Sequence, residues 1–526
     1  MPLVLGLYWC LPVRFRKAFL LAASYFFYMS WKPAYGLLIL GLTVINYAFG
    51  LLIARCRETK ATLEPAAKNA DGTALQITPP SKKARAILIA GLTFNLGALC
   101  YFKYTNFVFE SIFAGLGLFA SMTHSALPFN WQQPVLHILL PLGISFFTFE
   151  FIHYIVDVYR GSKPVKNFVD FALFASFFPS QIAGPIKRFQ DFMQQMDTCP
   201  PFKGEQFRAG TYLILQGLFK KVVLGDNLAP IVATGFTNTA GLSMIDAWIT
   251  IIGFSYQLYF DFSGYTDIGR GSALLLGYKV PENFNLPFLA ANLSDFWRRW
   301  HISLSSWLRD YLFIPLGGSR GSGTKTKRNL LITMLLGGLW HGAAWHFVVW
   351  GALHGAGLTL LRDWQALVAR LPLVSAWQKH RAWHIAGVIW TNFFVYLAFA
   401  VFRAANLTQA GQVVSRFFGL ACANMGPSWN AQWSHAWTAS GSGLVSTALD
   451  QSPLTVALPA YFLFFLCRNR LDRITQTNPS QQSLLRSWLA FWDSNLAARI
   501  VIYATVFVGI IGFAPSQFSP FIYFQF

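Results

Sequence analysis

Apolar runs of bilayer length recur along this chain, separated by short polar connections. Spans are expected near 2–13, 18–31, 35–54, 86–107, 137–158, 211–231, 245–270, 384–403, 453–467 and 491–513. A further stretch, Asn329 to Leu361, runs for 33 residues without a Lys, Arg, Asp or Glu. As one helix it would extend about 50 Å, which is long for one crossing and short for two. Gly337-Gly338 and Gly342 are candidate breaks, so this stretch reads as a broken or re-entrant hairpin holding His341 at membrane depth. The pattern predicts an all-α polytopic membrane protein with roughly 11–12 crossings plus re-entrant or interfacial helices.

The 12% charged content, about half that of a soluble domain, fits this reading. So do 51 Phe, 19 Trp and 19 Tyr, which suit interfacial belts and a packed bundle. The net charge of +20 does not indicate nucleic acid, because the basic residues sit in short loops between apolar runs. A loop at 55–85 carries seven of them. Loops near 121–136, 232–243 and 404–450 carry almost none. The first is expected in the cytoplasm, the others outside, with both termini outside. Met1 to Leu11 lacks a basic leader and a small-residue cleavage site, so it reads as a span rather than a cleavable signal. Six scattered cysteines without CxxC spacing indicate neither a metal site nor a disulfide framework. The absence of an internal repeat disfavours inverted-repeat transporters.

Two histidines carry the candidate chemistry. His341, in Trp340-His341-Gly342, is a titratable group in an apolar segment. Imidazole can take a proton from an acceptor hydroxyl as that oxygen attacks an acyl thioester, which makes His341 a candidate general base. A histidine bonded to a nearby backbone carbonyl would look the same. His301 lies in DFWRRWHISLSSWLRDYLFIPLGG, from Asp295. Read as one helix, this segment has an apolar stripe of Trp297, Trp300, Leu304 and Trp307. Beside it runs a polar stripe of Arg298, His301, Ser305 and Arg309. Such a stripe suits an anionic donor such as coenzyme A, with Arg299 and Trp340 as further contacts, and equally suits an interfacial anchor. His346 and His354, five and thirteen residues beyond His341, would fall on other faces of a continuous helix. No HExxH motif is present, and no metal is expected. Glu150, His153 and Asp157 lie in an apolar run, Lys187 and Arg188 follow a Gly/Pro break, and Asp261, Ser263, Tyr265 and Asp267 end another run. Intramembrane carboxylates usually face a partner or a cavity, so these could orient an imidazole or line an acceptor path, with Asp267 a candidate substrate contact, or could simply pack helices and cap loops. No GxSxG elbow, P-loop or dinucleotide fingerprint offers a different chemistry.

Eight blocks together resemble a known family. They are GISFFTFEFIHYIVDVYRG from Gly143, FPSQIAGPIKRF from Phe178, GLFKKVVLGDNLA from Gly217, YFDFSGYTDIGRG from Tyr259, PENFNLPF from Pro281, the Asp295 segment, LWHGAAWHFVVWGALHG from Leu339, and the terminal FIYFQF from Phe521. The chain resembles membrane-bound O-acyltransferases of the bacterial polysaccharide-modifying branch. Relatives of this type usually carry more residues before the segment matching Leu3-Val4-Leu5, so the first span is expected to be clipped.

The resemblance implies one integral-membrane domain over 1–526, with a motif-bearing core at 143–361 and a ring of helices around a thinned centre. It places the family's near-universal histidine on His341 and its second histidine on His301. It implies acetyl-CoA as donor, no bound cofactor, and acetyl transfer across the bacterial inner membrane to an extracytoplasmic, alginate-like exopolysaccharide. The implied partners are a periplasmic SGNH-type acetyltransferase, a polysaccharide-synthesis complex and the lipid bilayer. Alternatives are peptidoglycan O-acetylation, D-alanylation of a teichoic acid from a carrier-protein thioester, and a glycan exporter with no chemistry.

Overall fold

The structure is a computed structural model that describes residues 1–61, 81–123, 136, 138–378, 380–420, 496–515 and 519–522. Regular structure among these residues is helical throughout, as the hydrophobic pattern predicts. The chain divides into two compact units, Met1–Gly210 with Ser272–Gln378, and Thr211–Gly271 with Lys379–Phe526.

The first unit opens with α1 (Pro2–Cys10), α2 (Val13–Met29), α3 (Ala34–Ala61), α4 (Lys82–Thr123), α5 (Ile144–Arg160), α6 (Phe168–Ser176) and α7 (Phe189–Thr198). The α3, α4 and α5 helices pack on one another, and α2 packs on α6. Their shared core is aromatic. Phe147, Phe151, Tyr154, Phe171, Phe174, Phe177, Phe189 and Phe192 are all buried there with Tyr278. The α4 helix runs 42 residues, well past the expected 86–107 span.

The 329–361 stretch resolves into two helices, α13 (Gly323–His341) and α14 (Trp345–Val368), packed against each other. Both extend into the polar flanks, which removes the length conflict. The break falls at Gly342–Ala344. Gly337 and Gly338 stay within α13. A Cβ on Gly338 would lie 2.2 Å from the Phe347 carbonyl oxygen, and one on Gly351 would lie 2.4 Å from that of Met334. These glycines therefore serve close helix approach rather than a break.

The segment after Asp295 departs from a single amphipathic helix. It forms α11 (Leu293–Arg299) and α12 (Ile302–Leu308), separated at Trp300 and His301. Trp300 is extended, and His301 takes the left-handed conformation at φ +44°. That conformation is uncommon for a residue bearing a Cβ and ends the helical hydrogen-bond pattern. Hydrogen bonds with the preceding loop hold the break open. Asn285 N–H donates to Arg299 O, and Ile302 N–H donates to Asn283 O, both at 2.9 Å. The predicted polar stripe is thereby divided.

The second unit contains most of α8 (Gly204–Leu218), α9 (Asp226–Thr237) and most of α10 (Met244–Leu275), with α16 (Arg381–Arg403), α17 (Leu407–Phe417) and a last helix, Leu496–Gly512. The short α15 (Pro372–Trp377) closes the first unit's sequence. Among the described residues, three helices are long and apolar enough to cross a bilayer, in Ala34–Arg57, Lys82–Thr123 and Arg381–Arg403. The span expected at 453–467, most of the 55–85 loop and most of the 404–450 loop lie outside the described residues.

Candidate active site

His341 ends α13 and is buried, as is His301. The structure brings the two together around Trp340. The Trp340 ring centroid lies 4.9 Å from the His341 ring and 6.2 Å from the His301 ring, edge-on to each. Trp340 is fixed from its other side by Phe149, whose ring is sandwiched between Trp340 at 5.2 Å and Trp307 at 3.7 Å. Trp307 Nε1 also donates to Phe149 O at 3.0 Å. Aromatic stacking of this kind fixes ring orientation and adds about 0.5–1.5 kcal/mol per pair beyond burial. Trp340 thus bridges the pair and stacks on Phe149 of α5, which Trp307 of α12 holds in turn.

The end of α13 is tied down by α4. Tyr104 Oη donates to Leu339 O at 2.8 Å, and Lys103 Nζ donates to the carbonyls of Trp340 and His341. The last carbonyls of a helix have no partner within it, so these two side chains satisfy what the helix leaves open. His301, Lys103 and His354 lie within electrostatic reach of His341.

His354 belongs to this group because the chain reverses at Gly342–Ala344. Trp350 of α14 lies 5.1 Å from the His341 ring and 4.6 Å from the His354 ring. The expectation that His354 faces away from His341 assumed a continuous helix, and the hairpin overturns it. His354 Nδ1 accepts from Trp297 Nε1 at 3.3 Å. His346 is buried against Phe347.

His301 is clamped by the loop before α11. Its Nδ1 lies 3.1 Å from Asn283 Oδ1, which also accepts from Ser303 N–H at 3.2 Å and Ser303 Oγ at 2.9 Å. Ser303 Oγ accepts in turn from Ile186 N–H at 3.1 Å. Three of the sequence blocks meet in this network.

The divided stripe faces two ways. His301 turns into the core, whereas Arg298, Ser305 and Arg309 line a cavity of about 560 Å3 together with Trp297 and Arg362. Its walls come from α11 to α14, the elements that carry or flank both histidines. Arg299 does not line it. Its guanidinium is paired with Asp295 at 3.0 Å and reaches Asn285 O.

The carboxylates find partners. Glu150 pairs with Lys187 at 2.8 Å, both buried, and Lys187 also donates to Ser180 at 3.0 Å. His153 Nε2 accepts from Phe189 N–H. Asp157 accepts from Gln190 and Tyr311, and Arg188 pairs with Asp310. Asp267 belongs to the second unit, where it pairs with Lys220 at 2.7 Å and accepts from Gln216. Asp261 is held by Lys221 at 2.6 Å and by Ile522 N–H at 2.8 Å, so the start of the terminal block, Phe521-Ile522, docks on α10. These residues sit inside α10, which continues to Leu275 rather than ending at them.

Asn283 and Lys103 were not singled out by sequence reasoning, and His354 was set aside as lying on another face. Lys103 carried a usable signal, as a lysine in an apolar run. Asn283 lies in a short loop block whose importance depends on where the loop lands.

Two buried histidines thus meet on Trp340 within a helical bundle, and the helices that carry and flank them also wall an arginine-lined cavity. The MBOAT, membrane-bound O-acyltransferase family model matches residues 163–405. The chain is 36% identical over 548 residues to a probable alginate O-acetylase of Azotobacter vinelandii, covering 100% of this chain and 98% of the relative. It is 37% identical over 437 residues to a peptidoglycan O-acetyltransferase of Helicobacter pylori, covering 77% and 74%. It is also 28% identical over 338 residues to a teichoic acid D-alanyltransferase of Bacillus subtilis, covering 60% and 82%. The chain therefore belongs to the membrane-bound O-acyltransferase family and is a membrane-embedded acyltransferase.

Proposed function

We propose that this acyltransferase takes acetyl from cytoplasmic acetyl-CoA and passes it across the bacterial inner membrane for O-acetylation of an extracytoplasmic, alginate-like polysaccharide. The observation that carries this reading is the pairing of His341 and His301 on Trp340, with an arginine-lined cavity bounded by the same helices. The full-length similarity to a probable alginate O-acetylase supports the acceptor class.

In this mechanism Arg298 and Arg309 hold the phosphates of coenzyme A, for which guanidinium groups are well suited. The thioester lies toward the histidines. His341 takes the proton of an acceptor hydroxyl as that oxygen bonds to the thioester carbonyl carbon. The resulting tetrahedral intermediate expels the sulfur, the C–S bond breaks, and the proton returns from imidazolium to the coenzyme A thiolate. His301 assists as the second histidine. A periplasmic SGNH-type partner then carries acetyl to the glycan within a polysaccharide-synthesis complex.

The test is coenzyme A release from acetyl-CoA by purified protein in nanodiscs, with the native periplasmic partner and glycan supplied. Release is expected. Arg298→Ala is expected to raise donor KM more than it lowers kcat, because it removes binding rather than the base. If acetyl-CoA is left intact while a D-alanyl carrier-protein thioester is consumed, D-alanylation replaces this reading.

A further inference from the structure

Which nitrogen of His301 carries its proton is decided by its neighbours. The Asn283 side chain has two chemically different ends, and the backbone N–H of Ser303 settles which one faces His301. That N–H can only donate, and it points at the same Asn283 atom, 3.2 Å away. The atom is therefore the carbonyl oxygen, since an amide nitrogen there would set donor against donor. Ser303 Oγ, already accepting from Ile186 N–H, directs its own proton to the same oxygen at 2.9 Å. His301 Nδ1, 3.1 Å away, faces an acceptor and must donate. The neutral imidazole then has its proton on Nδ1 and its proton-accepting lone pair on Nε2.

His354 shows the opposite arrangement. Its Nδ1 receives an indole N–H from Trp297, and indole can only donate, so its ring proton lies on Nε2. The two histidines near His341 thus present opposite faces of imidazole chemistry, each set by one neighbour.

We propose that Asn283 is a positioning residue for acyl transfer: it holds His301 in the Nδ1–H tautomer and, with Ser303, fixes the left-handed turn that aims the ring toward Trp340. The proposal rests on the reading that His301 takes part in the chemistry. It goes beyond that reading by assigning the nitrogen that acts, Nε2, and the residue that selects it. Tautomer control by an adjacent acceptor is an established way to keep an imidazole competent, and its loss lowers turnover rather than substrate binding.

The experiment compares Asn283→Leu, which keeps the volume and removes the acceptor, with Asn283→Asp, which restores an acceptor oxygen. His301→Ala serves as the control. Each is purified in nanodiscs with the native partner, normalised to folded protein by size exclusion and thermal unfolding, and assayed for kcat and donor KM with acetyl-CoA. Asn283→Leu is expected to lower kcat about 10–100-fold with donor KM changed by less than about 2-fold. Asn283→Asp is expected to recover most of that loss. Wild-type kcat in folded Asn283→Leu overturns the proposal, and so does equal impairment of the Leu and Asp variants. Loss in His301→Ala with none in Asn283→Leu removes only the positioning role. No loss in His301→Ala removes the reading of His301 and the proposal with it.

Discussion

Lys103 donates to the end of α13, where Trp340 and His341 would otherwise leave carbonyl oxygens without partners inside the helix. Replacing it with Met keeps the length of the side chain and removes both hydrogen bonds. Leaving buried acceptors unpaired costs about 1–3 kcal/mol. Lys103→Met is therefore expected to lower the Tm of the purified protein, and Lys103→Arg to retain most of the wild-type value. An unchanged Tm in Lys103→Met would show that the contact contributes nothing. At this scale the sequence was legible where chemistry and setting clash visibly. His341 announced itself as an imidazole in an uncharged stretch, and its position at a helix end agrees with the proposed break. Asn283 did not, because a loop asparagine has no unusual setting until folding places it against His301. Glu150 and Lys187 were each visible as out-of-place charges, but only the fold pairs them at 2.8 Å.

Helices were the most legible elements, since their apolar length is a direct consequence of the bilayer as solvent. The boundaries were not. The α13 and α14 helices reach into charged flanks that a hydropathy reading assigns to loops. Breaks were harder still. Gly337-Gly338 looked like a break because glycine lacks helix propensity, yet here a side chain at Gly338 would collide with the Phe347 backbone. Periodicity failed outright after Asp295. Its 3.6-residue repeat was real, but hydrogen bonds from the 283–285 loop and a left-handed His301 interrupt the helix. Tertiary contacts override local preference there, and they change which residues share a face. Arg298, Ser305 and Arg309 face a cavity while His301 enters the core. A continuous helix would have put all four on one side. The same effect accounts for His354, whose distance in sequence from His341 is cancelled by the hairpin.

For the whole molecule, the asymmetry of basic loops sets an orientation. Residue 70 is expected in the cytoplasm and residue 430 in the periplasm. Both lie outside the described residues, so the expectation rests on charge alone. Single cysteines at these positions, in a background without the native ones, are expected to react with an impermeant maleimide on intact spheroplasts at 430 and not at 70. The reverse pattern would invert the orientation and put the arginine-lined cavity's donor on the wrong side. The buried and half-buried charges of the second unit, Lys220 with Asp267 and Lys221 with Asp226 and Asp261, are paired among themselves. They tie the Phe219–Gly225 turn, α9, α10 and the Ser519–Ile522 segment together without taking part in the proposed steps. The central claim is that acetyl passes at His341, and it is tested most directly by ester-linked acetate on exported polysaccharide from cells carrying His341→Ala, with membrane abundance checked by blot. Removing a general base typically costs about 10²–10⁴-fold, so acetate is expected to fall below detection while the protein stays inserted at wild-type abundance. Near wild-type acetate in that variant would contradict the account.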